Sequence, residues 1–323
     1  MKVFDAHSDI WSDVTAHRLA GGTSVLRRRH MDRLAKGGVE GSIFVIWVDP
    51  PYDAAPMART RDIMAAVRAE LGEDGAVTVV HTYEEMMAAR DAGKFYVFIG
   101  IEGLAAIGED LERIDWYYEF GARHAGLTWN EANALATGVN GDPGRGLTGA
   151  GRAAVRKIQE KHMLLDMSHI NERSFWDVVD TAAAPIAATH SNCRALCDVP
   201  RNLTDEQLRA IRDLKGVVGL NAFNGFVDLD PARQDVEHLA RHAAHMVDVM
   251  GIEHVGCGFD FFEFLGQDAM GSMTDVSPST AGLADSSQVP NLFACFERMG
   301  MTSAEMEKIA FGNFHSLIRR VIG

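Results

Sequence analysis

The chain has 323 residues, of which 47% are hydrophobic and 24% charged, and its formal net charge is −14. This composition is typical of a soluble globular protein with a large core, and no run of about 18 uncharged apolar residues is long enough to cross a membrane. The acidic balance argues against nucleic acid as a partner, because phosphate binding needs a clustered basic surface.

Eight short apolar runs, bounded by Gly, Asp, Asn or His, are predicted to be strands. They cover residues 3–6, 43–48, 96–101, 125–129, 163–167, 186–189, 217–220 and 254–259. The runs are nearly continuous in apolar character rather than alternating, which indicates parallel strands that are covered on both faces.

Helical periodicity fills the segments between these runs, and residues 236–250 carry the clearest apolar stripe. Thr82, Thr204 and Thr302 each have Glu or Gln three residues later, the pattern of a helix N-terminal capping box. Eight strands alternating with helices predict a (β/α)8 TIM barrel, formed as a single domain over residues 1–323, with its chemistry at the carboxyl ends of the strands.

Metal-capable side chains closely follow several of the predicted strands. They are His7, Asp9, Glu102, His169 and His190. His7 and Asp9 are two residues apart, so on a strand they would share one face. Imidazoles mixed with carboxylates suit zinc first, with manganese or iron as alternatives. Because this set is too large for one tetrahedral ion with an open position, we expect two ions that share a bridging carboxylate.

Two metal ions about 3.5 to 4 Å apart would supply hydroxide near neutral pH and polarise a carbonyl group, which predicts hydrolysis of a small peptide or amide. Asp260 ends the eighth predicted strand. We expect its carboxylate to accept a proton from that hydroxide and to pass it to the leaving amine. The alternative for Asp260 is a carboxylate that caps the next helix.

Six ordered motifs resemble those of the membrane (renal) dipeptidase family of metallopeptidases, over nearly the whole chain. They are His-Ser-Asp from residue 7, Ile-Glu-Gly from 101, Asp-Met-Ser-His from 166, Thr-His-Ser-Asn from 189, Pro-Arg-Asn-Leu from 200 and Gly-Phe-Asp-Phe from 258. The resemblance implies a binuclear zinc barrel that hydrolyses dipeptides, in which the second residue is L or D.

The same resemblance implies a role for each ligand. His7 and Asp9 would bind one zinc ion, His169 and His190 would bind the other, and Glu102 would bridge them. It also implies that Arg201 holds the terminal carboxylate of the substrate, because a planar guanidinium suits bidentate carboxylate recognition. A surface ion pair is the alternative role for this arginine.

Two positions depart from the family pattern. Trp129 stands where the family has a histidine that assists the substrate carbonyl, and Phe262 replaces a second acid after the eighth strand. An indole can donate a hydrogen bond but cannot accept a proton. Trp129 would therefore stabilise an oxyanion or wall the pocket, with Asn130 or Asn133 supplying a polar contact.

These departures leave two alternative functions open. The first is a related amidohydrolase that acts on an N-acyl amino acid or a lactone. The second is a binding or regulatory protein on a disabled barrel, which the retention of every proposed ligand and of Asp260 disfavours.

Four other features receive a structural interpretation. His238, His242 and His245 share a helix face but lack the Glu of a His-Glu-x-x-His motif, so we expect a packed or solvated face. Cys193 and Cys197, spaced for one helix face, are interpreted as small buried thiols rather than metal ligands. The basic run 27–30 is assigned to a solvated surface or a carboxylate-facing loop, and the Gly-rich segment 138–151 to the catalytic rim.

We expect a cytoplasmic protein. His7 lies where the apolar region of a signal peptide would be removed, and the four cysteines form no disulfide framework. A homodimer is a common arrangement for such enzymes and is the expected assembly. A small dipeptide or amide is the expected partner, with neither nucleic acid nor a membrane.

Overall fold

One parallel sheet organises the computed structural model, which describes residues 1–73, 75–265 and 279–323. Its strands in this part of the chain are β1 (Val3–Ser8), β2 (Val39–Trp47), β3 (Thr78–Val79), β4 (Tyr96–Glu102), β5 (Ala122–Gly126), β6 (Leu164–Asp166), β7 (Ile186–Ala188), β8 (Val217–Leu220) and β9 (Val255–Cys257). Eight of them follow the order β1-β2-β4-β5-β6-β7-β8-β9, and β3 pairs with β4. The eight form a nearly closed parallel barrel, which confirms the predicted TIM barrel.

Helices alternate with these strands. In the described residues the α-helices are α1 (Ile10–Leu19), α2 (Met31–Gly37), α3 (Pro56–Leu71), α4 (Tyr83–Asp91), α5 (Glu112–Phe120), α6 (Gly149–Glu160), α7 (Glu172–Thr181), α8 (Asp205–Asp213), α9 (Val236–Met250), α10 (Val289–Arg298), α11 (Ser303–Glu307) and α12 (Asn313–Val321). None of these helices is long and apolar enough to cross a membrane.

Local sequence signals set several helix boundaries. The Thr82 hydroxyl accepts a hydrogen bond from the Glu85 amide at the start of α4, and complete capping boxes begin α8 at Thr204 and α11 at Thr302. The predicted helix 236–250 is α9, and it buries the apolar stripe that includes Leu239, Ala243 and Met246. These capping and periodicity predictions are confirmed.

The two faces of the strands pack into different parts of the core. Along β4, Tyr96 and Phe98 belong to one apolar cluster, whereas the alternating residues Val97 and Ile99 belong to another, as expected from the two-residue period of a strand. Phe314 of α12 joins the first cluster, and the Tyr96 hydroxyl lies 2.8 Å from Nε2 of His315. Because Tyr96 begins its strand, α12 covers the amino ends of the strands.

Three strand predictions need correction. The fourth predicted run, 125–129, is β5, which begins three residues earlier and ends at Gly126. Its start was not predicted because Arg123 and His124 are polar. The eighth run, 254–259, forms a ladder only over β9, since residues 252–254 make a 3-10 turn. The two-residue strand β3 was too short to be predicted. The single-domain assignment stays a prediction.

Residues beyond the ladder help to close the barrel between β1 and β9. The Phe259 amide donates to Oδ1 of Asp5 at 2.8 Å, and the Asp260 amide donates to the His7 carbonyl at 3.4 Å. Gly258 precedes this pair, and a Cβ atom there would overlap the carbonyl oxygen of Thr189. The close approach of Gly258, beside the seam, to the backbone that follows β7 therefore requires glycine.

We expect Gly258→Ala to lower the free energy of unfolding by about 1 to 3 kcal/mol, because the added methyl group must displace backbone. Urea denaturation measures the change. The matched control is Gly149→Ala at the exposed start of α6, where nothing lies within 4 Å of the added Cβ and no loss of stability is expected. Equal stability of the two variants would contradict this account of the seam.

Candidate active site

The predicted ligands meet at the carboxyl ends of the barrel strands. His7 lies in β1, Glu102 ends β4, and His169 and His190 follow β6 and β7 by two or three residues. The set is almost completely buried: the exposed fractions are His7 0%, Asp9 3%, Glu102 6%, His169 7%, His190 0% and Asp260 5%. Six polar groups from distant parts of the chain therefore share one enclosed region.

Glu102 lies at the centre of the cluster. Its Oε1 atom is 2.8 Å from Nε2 of His169, 3.5 Å from Nε2 of His190 and 3.7 Å from Nε2 of His7. Nε2 of His7 is in turn 3.7 Å from Oδ2 of Asp9 and 3.8 Å from Oδ1 of Asp260. One carboxylate oxygen thus lies near all three imidazoles.

Ligand atoms that could hold a cation fall into overlapping groups of three, each within 4.8 Å of one another. The groups are Glu102 with His169 and His190, His7 with Asp9 and Asp260, and His7 with Asp166 and His190. The first group joins Glu102 to His169 and His190. The second joins His7 and Asp9 to Asp260 and not to Glu102, so the bridging role of Glu102 stays a prediction.

The position of Asp9 differs from the expected one. It is not a strand residue that shares a face with His7; it is the N-cap residue of α1, with φ −86° and ψ 19°. Because the chain turns out of β1 at this point, the turn and not the pleat of a strand brings its carboxylate beside His7. The predicted strand position of Asp9 is therefore wrong, although its carboxylate does lie beside His7.

The donor set fits divalent cations. Among the described residues, Nε2 of His7, Nε2 of His190 and Oδ1 of Asp9 are buried without a hydrogen-bond partner. Unpaired buried polar atoms are costly, and a cation would satisfy all three. Burial lowers the pKa of His7, and it holds the pKa values of His169 and His190 well below the usual range, so each neutral imidazole keeps a lone pair. Nε2 of His169 lies 3.0 Å from Nη2 of Arg201, whereas Nε2 of His7 and of His190 has no such partner among the described residues.

The three central acids have elevated pKa values. Burial raises the pKa of Asp9 and that of Asp260 to about 7, and it raises the pKa of Glu102 well above its usual value. Repulsion from neighbouring carboxylates adds to the increase at Glu102 and Asp260, whereas hydrogen bonds with these two acids partly lower the pKa of Asp9. Bound cations would neutralise the charge of these buried carboxylates and so favour their ionised form.

Two site residues have unusual backbone conformations. His169 and Asp260 have φ values of 70° and 58°, in the left-handed region that residues other than glycine rarely occupy. Nδ1 of His169 lies 2.8 Å from Oδ1 of Asn130, and Oδ2 of Asp260 accepts a hydrogen bond of 3.0 Å from Asn221. These bonds hold the two side chains in place and offset conformations that cost about 1 to 3 kcal/mol each.

Three of the four predicted substrate-binding residues line a cavity together with the acids. Arg201, Trp129 and Asn130 border it beside Asp9, Glu102 and Asp260. Arg201 is 8% exposed; its Nη2 lies 3.0 Å from Nε2 of His169, and its guanidinium carbon is 5.2 Å from the ring centre of Phe226. This arginine therefore lies in the site and not in a surface ion pair.

The structure does not bring Asn133 to the cavity lining. Its amide nitrogen donates to the Leu127 carbonyl, and its Oδ1 accepts from the amides of Leu135 and Ala136. These contacts organise the loop after β5, so a substrate contact from Asn133 has no support in the geometry.

Several residues of the site escaped the sequence analysis. Trp47, Phe223, Phe226 and Phe262 add aromatic walls to the cavity. Asn221 directly follows β8, so the rule that found the metal ligands, a polar residue after a buried strand, would also have found this partner of Asp260. Asp166 ends β6 and belongs to the Asp-Met-Ser-His motif, but no role was predicted for it from the sequence.

The structural interpretation of the histidine helix is confirmed. His238 lies 2.8 Å from Asp235, and His245 lies 2.7 Å from Asp205. His242 is buried; its Nδ1 accepts a hydrogen bond from the Cys193 amide, and its Nε2 donates to a backbone carbonyl. Each ring is thus used in packing or pairing.

The remaining motifs also agree with their structural interpretation. The four cysteines are buried free thiols, although Cys193 and Cys197 lie in a turn and not on a helix. Arg29 and His30 of the basic run contact Asp13. In the Gly-rich segment 138–151, the Val139 amide donates to the His169 carbonyl, so this loop supports the catalytic rim.

Comparison with known proteins agrees with this geometry. The model of the family described as membrane dipeptidase, peptidase family M19, matches residues 1–322. An uncharacterised protein from the pqqA 5′ region of Klebsiella pneumoniae is 37% identical over 231 residues, which are 69% of this chain and 79% of that protein. The dipeptidase tcpJ of Claviceps purpurea is 26% identical over 307 residues, which are 90% of this chain and 69% of its own.

Two solved structures have the same fold over their whole length. Dipeptidase AC, a metallopeptidase of family M19, superposes with a TM-score of 0.88 at 29% identity and covers 100% of this chain and 99% of its own. A metallopeptidase from Rhodobacter sphaeroides, liganded with a phosphinate mimic of the dipeptide L-Ala-D-Ala, superposes with a TM-score of 0.87 at 29% identity and covers 99% of both chains.

The buried acids predict how the stability of the metal-free protein depends on pH. Asp260 has a pKa of about 7 in the folded state and the ordinary lower value when unfolded, so the folded state binds more protons in between. Its contribution to stability is therefore lost as the pH rises from about 4 to 7. In urea unfolding, Asp260→Asn should reduce the loss between pH 5 and pH 8 by on the order of 2 kcal/mol. An identical pH dependence of parent and variant would contradict the assignment.

Proposed function

Because the chain belongs to the membrane dipeptidase family of metallopeptidases, we propose that it hydrolyses the peptide bond of small dipeptides at a centre of two zinc ions. The observation that carries this proposal is the position of Oε1 of Glu102, within 3.7 Å of three imidazole nitrogens in a buried cluster. A carboxylate that bridged two ions would have to lie between their imidazole ligands, and the central position of Glu102 supports that role. The orphaned nitrogens of His7 and His190 support the same assignment.

The ligands divide between the two ions. His7 and Asp9 would hold one ion, His169 and His190 the other, and Glu102 would contact both. Such a pair, when bound, lowers the pKa of water and polarises the scissile carbonyl. Zinc is preferred for a site of imidazoles and carboxylates, with manganese or iron as alternatives.

Asp260 is the proposed proton acceptor. Its Oδ2 is held by the amide of Asn221, while its Oδ1 faces Nε2 of His7 at 3.8 Å. A carboxylate in this position can take a proton from the attacking water and return it to the leaving amine. Because this side chain is not the N-cap of any described helix, the capping alternative is not supported.

Arg201 is the proposed anchor for the terminal carboxylate of the substrate. It is a buried guanidinium, packed over Phe226 and adjacent to His169, so an anionic group bound there would lie next to the metal ligands. The Rhodobacter sphaeroides enzyme holds a mimic of L-Ala-D-Ala, which supports dipeptides with a D-residue at the C-terminal position as candidate substrates.

Trp129 favours one second candidate, the hydrolysis of N-acyl amino acids or lactones. Its ring lies 5.2 Å from that of Trp47, and the two indoles form an apolar wall of the cavity, where an acyl group would pack. Trp129 replaces the histidine of typical family members, so a substrate contact that they make through an imidazole is changed here.

A substrate panel tests the proposal and separates the two candidates. Purified protein with measured metal content is assayed on L,L and L,D dipeptides, on N-acyl amino acids and on lactones. Hydrolysis of dipeptides with the higher kcat/KM is expected. Cleavage of N-acyl amino acids or lactones alone would reject the dipeptidase proposal in favour of the second candidate.

Asp260→Asn should retain both zinc ions while kcat falls by about 100-fold or more, because a proton carrier is lost and no proposed ligand is removed. Elemental analysis gives the stoichiometry and a steady-state assay gives kcat. The control is Asp62→Asn at an exposed position of α3, which should change neither quantity. Unimpaired turnover by the Asp260 variant would remove this residue from the mechanism.

Arg201→Lys should lower kcat/KM for dipeptides by about tenfold or more, because an ammonium group cannot form the bidentate pair. Dipeptides and their C-terminal amides are compared on both proteins. The parent should discriminate strongly against the amides and the variant weakly, whereas Arg61→Lys on the exposed face of α3 should behave like the parent. Equal discrimination by the Arg201 variant and the parent would show that this side chain does not bind the carboxylate.

Location and assembly are separate proposals. We place the enzyme in the cytoplasm and propose a homodimer as its assembly, and both remain predictions for fractionation and for light scattering to test.

A further inference from the structure

A chain of buried hydrogen bonds runs between neighbouring barrel strands to one proposed metal ligand. Oδ2 of Asp166 lies 3.2 Å from Nε2 of His124 and 2.5 Å from Oγ1 of Thr189, and Oγ1 of Thr189 lies 2.8 Å from Nδ1 of His190. All four side chains are at most 4% exposed. The chain therefore connects β5, the end of β6 and the residues after β7 without contact with solvent.

The direction of each hydrogen bond follows from the acid at its centre. Besides the two contacts at Oδ2, Oδ1 of Asp166 accepts from the amides of Ser168 at 3.0 Å and Thr189 at 2.9 Å. Four buried contacts therefore surround this carboxyl group, and two of them come from backbone amides, which can only donate, so the surroundings favour the ionised carboxylate. An ionised carboxylate has no proton to donate, so each of its partners must be a donor.

The Thr189 hydroxyl consequently has one free role. Its single proton is directed to Asp166, and its remaining lone pair faces Nδ1 of His190. Only an N–H group at Nδ1 can complete that contact. The other ring nitrogen, Nε2, then keeps its lone pair, and this is the atom that lies 3.5 Å from Oε1 of Glu102 without a hydrogen-bond partner in the described structure.

We propose that Asp166 and Thr189 are positioning residues that fix His190 as the Nδ1-protonated tautomer and direct Nε2 towards the metal centre. This inference rests on the proposed function, because it assigns a purpose to the free nitrogen. An imidazole held in one tautomer by a hydrogen bond to an outer group binds metal more tightly, and the loss of such a group typically costs 10-fold to 100-fold in affinity.

The other two imidazole ligands are held differently. Nδ1 of His169 contacts the neutral amide oxygen of Asn130, and Nδ1 of His7 has no hydrogen-bond partner among the described residues. A chain that leads to a buried carboxylate thus serves His190 in particular. We expect the ion that His190 binds to depend most on this outer network.

The network also explains a glycine in β4. Gly100 pairs with His124 of β5, and a Cβ atom at Gly100 would press against Nδ1 of that ring. The absence of a side chain makes room for the imidazole that donates to Asp166. The space for this first member of the network is therefore built into the pairing of β4 with β5.

The test compares Thr189→Val, which has the same shape but no hydroxyl, with Thr189→Ser, which keeps the hydroxyl. Zinc affinity of the full chain is measured by competition with a chromophoric chelator. Thr189→Val should weaken the binding of one of two zinc equivalents by about 10-fold to 100-fold, and Thr189→Ser should bind within about threefold of the parent. Unchanged affinity in the valine variant would overturn the proposal.

A second measurement needs neither a variant nor bound zinc. Nitrogen-15 NMR of the metal-free parent reports which ring nitrogen of His190 carries the proton, and protonation at Nδ1 is expected. A proton at Nε2 would overturn the positioning role, even if Thr189→Val failed to fold. If the parent bound no zinc but His190 were protonated at Nδ1, the metal centre would be rejected while the tautomer assignment stood, so the two failures are distinguishable.

Discussion

The burial of several acids beside neutral imidazoles is the constraint on which this molecule depends. Asp9, Glu102 and Asp260 share an enclosed region with three histidines, and the guanidinium of Arg201, which also lines the described cavity, cannot balance three carboxylates. Without cations, these carboxyl groups have raised pKa values, and they would be costly to ionise. The proposed pair of divalent cations would turn this costly arrangement into a coordination site, and this links the fold to the proposed hydrolysis.

The barrel brings these acids and histidines together because they lie at the carboxyl ends of its strands. Parallel strands bring their carboxyl ends to one side, while α12 covers the amino ends around Tyr96. Beyond the ladder, His169 and Asp260 adopt left-handed conformations, and hydrogen bonds from neighbouring loops hold them. The regular part of the fold thus supplies rigidity, and the irregular residues after it provide the exact placement of the ligand atoms.

Much of the barrel and of the candidate site could be predicted from sequence, because a polar residue that follows an apolar run can be recognised without a structure. That rule located Glu102, His190 and Asp260, and it could have located Asn221. It could not place Asp9, whose position depends on a turn, nor show that Asn133 bonds to its own loop. The rule also missed the start of β5, where Arg123 and His124 are polar. It could not find the hydrogen bonds that join His124, Asp166 and His190, since these depend on contacts between separate strands.

The presence of two adjacent metal ions is the central claim, and anomalous diffraction from crystals at the zinc absorption edge tests it most directly. Two peaks about 3.5 to 4 Å apart are expected, with Glu102 between them. One should lie beside His7 and Asp9, and the other beside His169 and His190. A single peak, or zinc bound away from these residues, would contradict it.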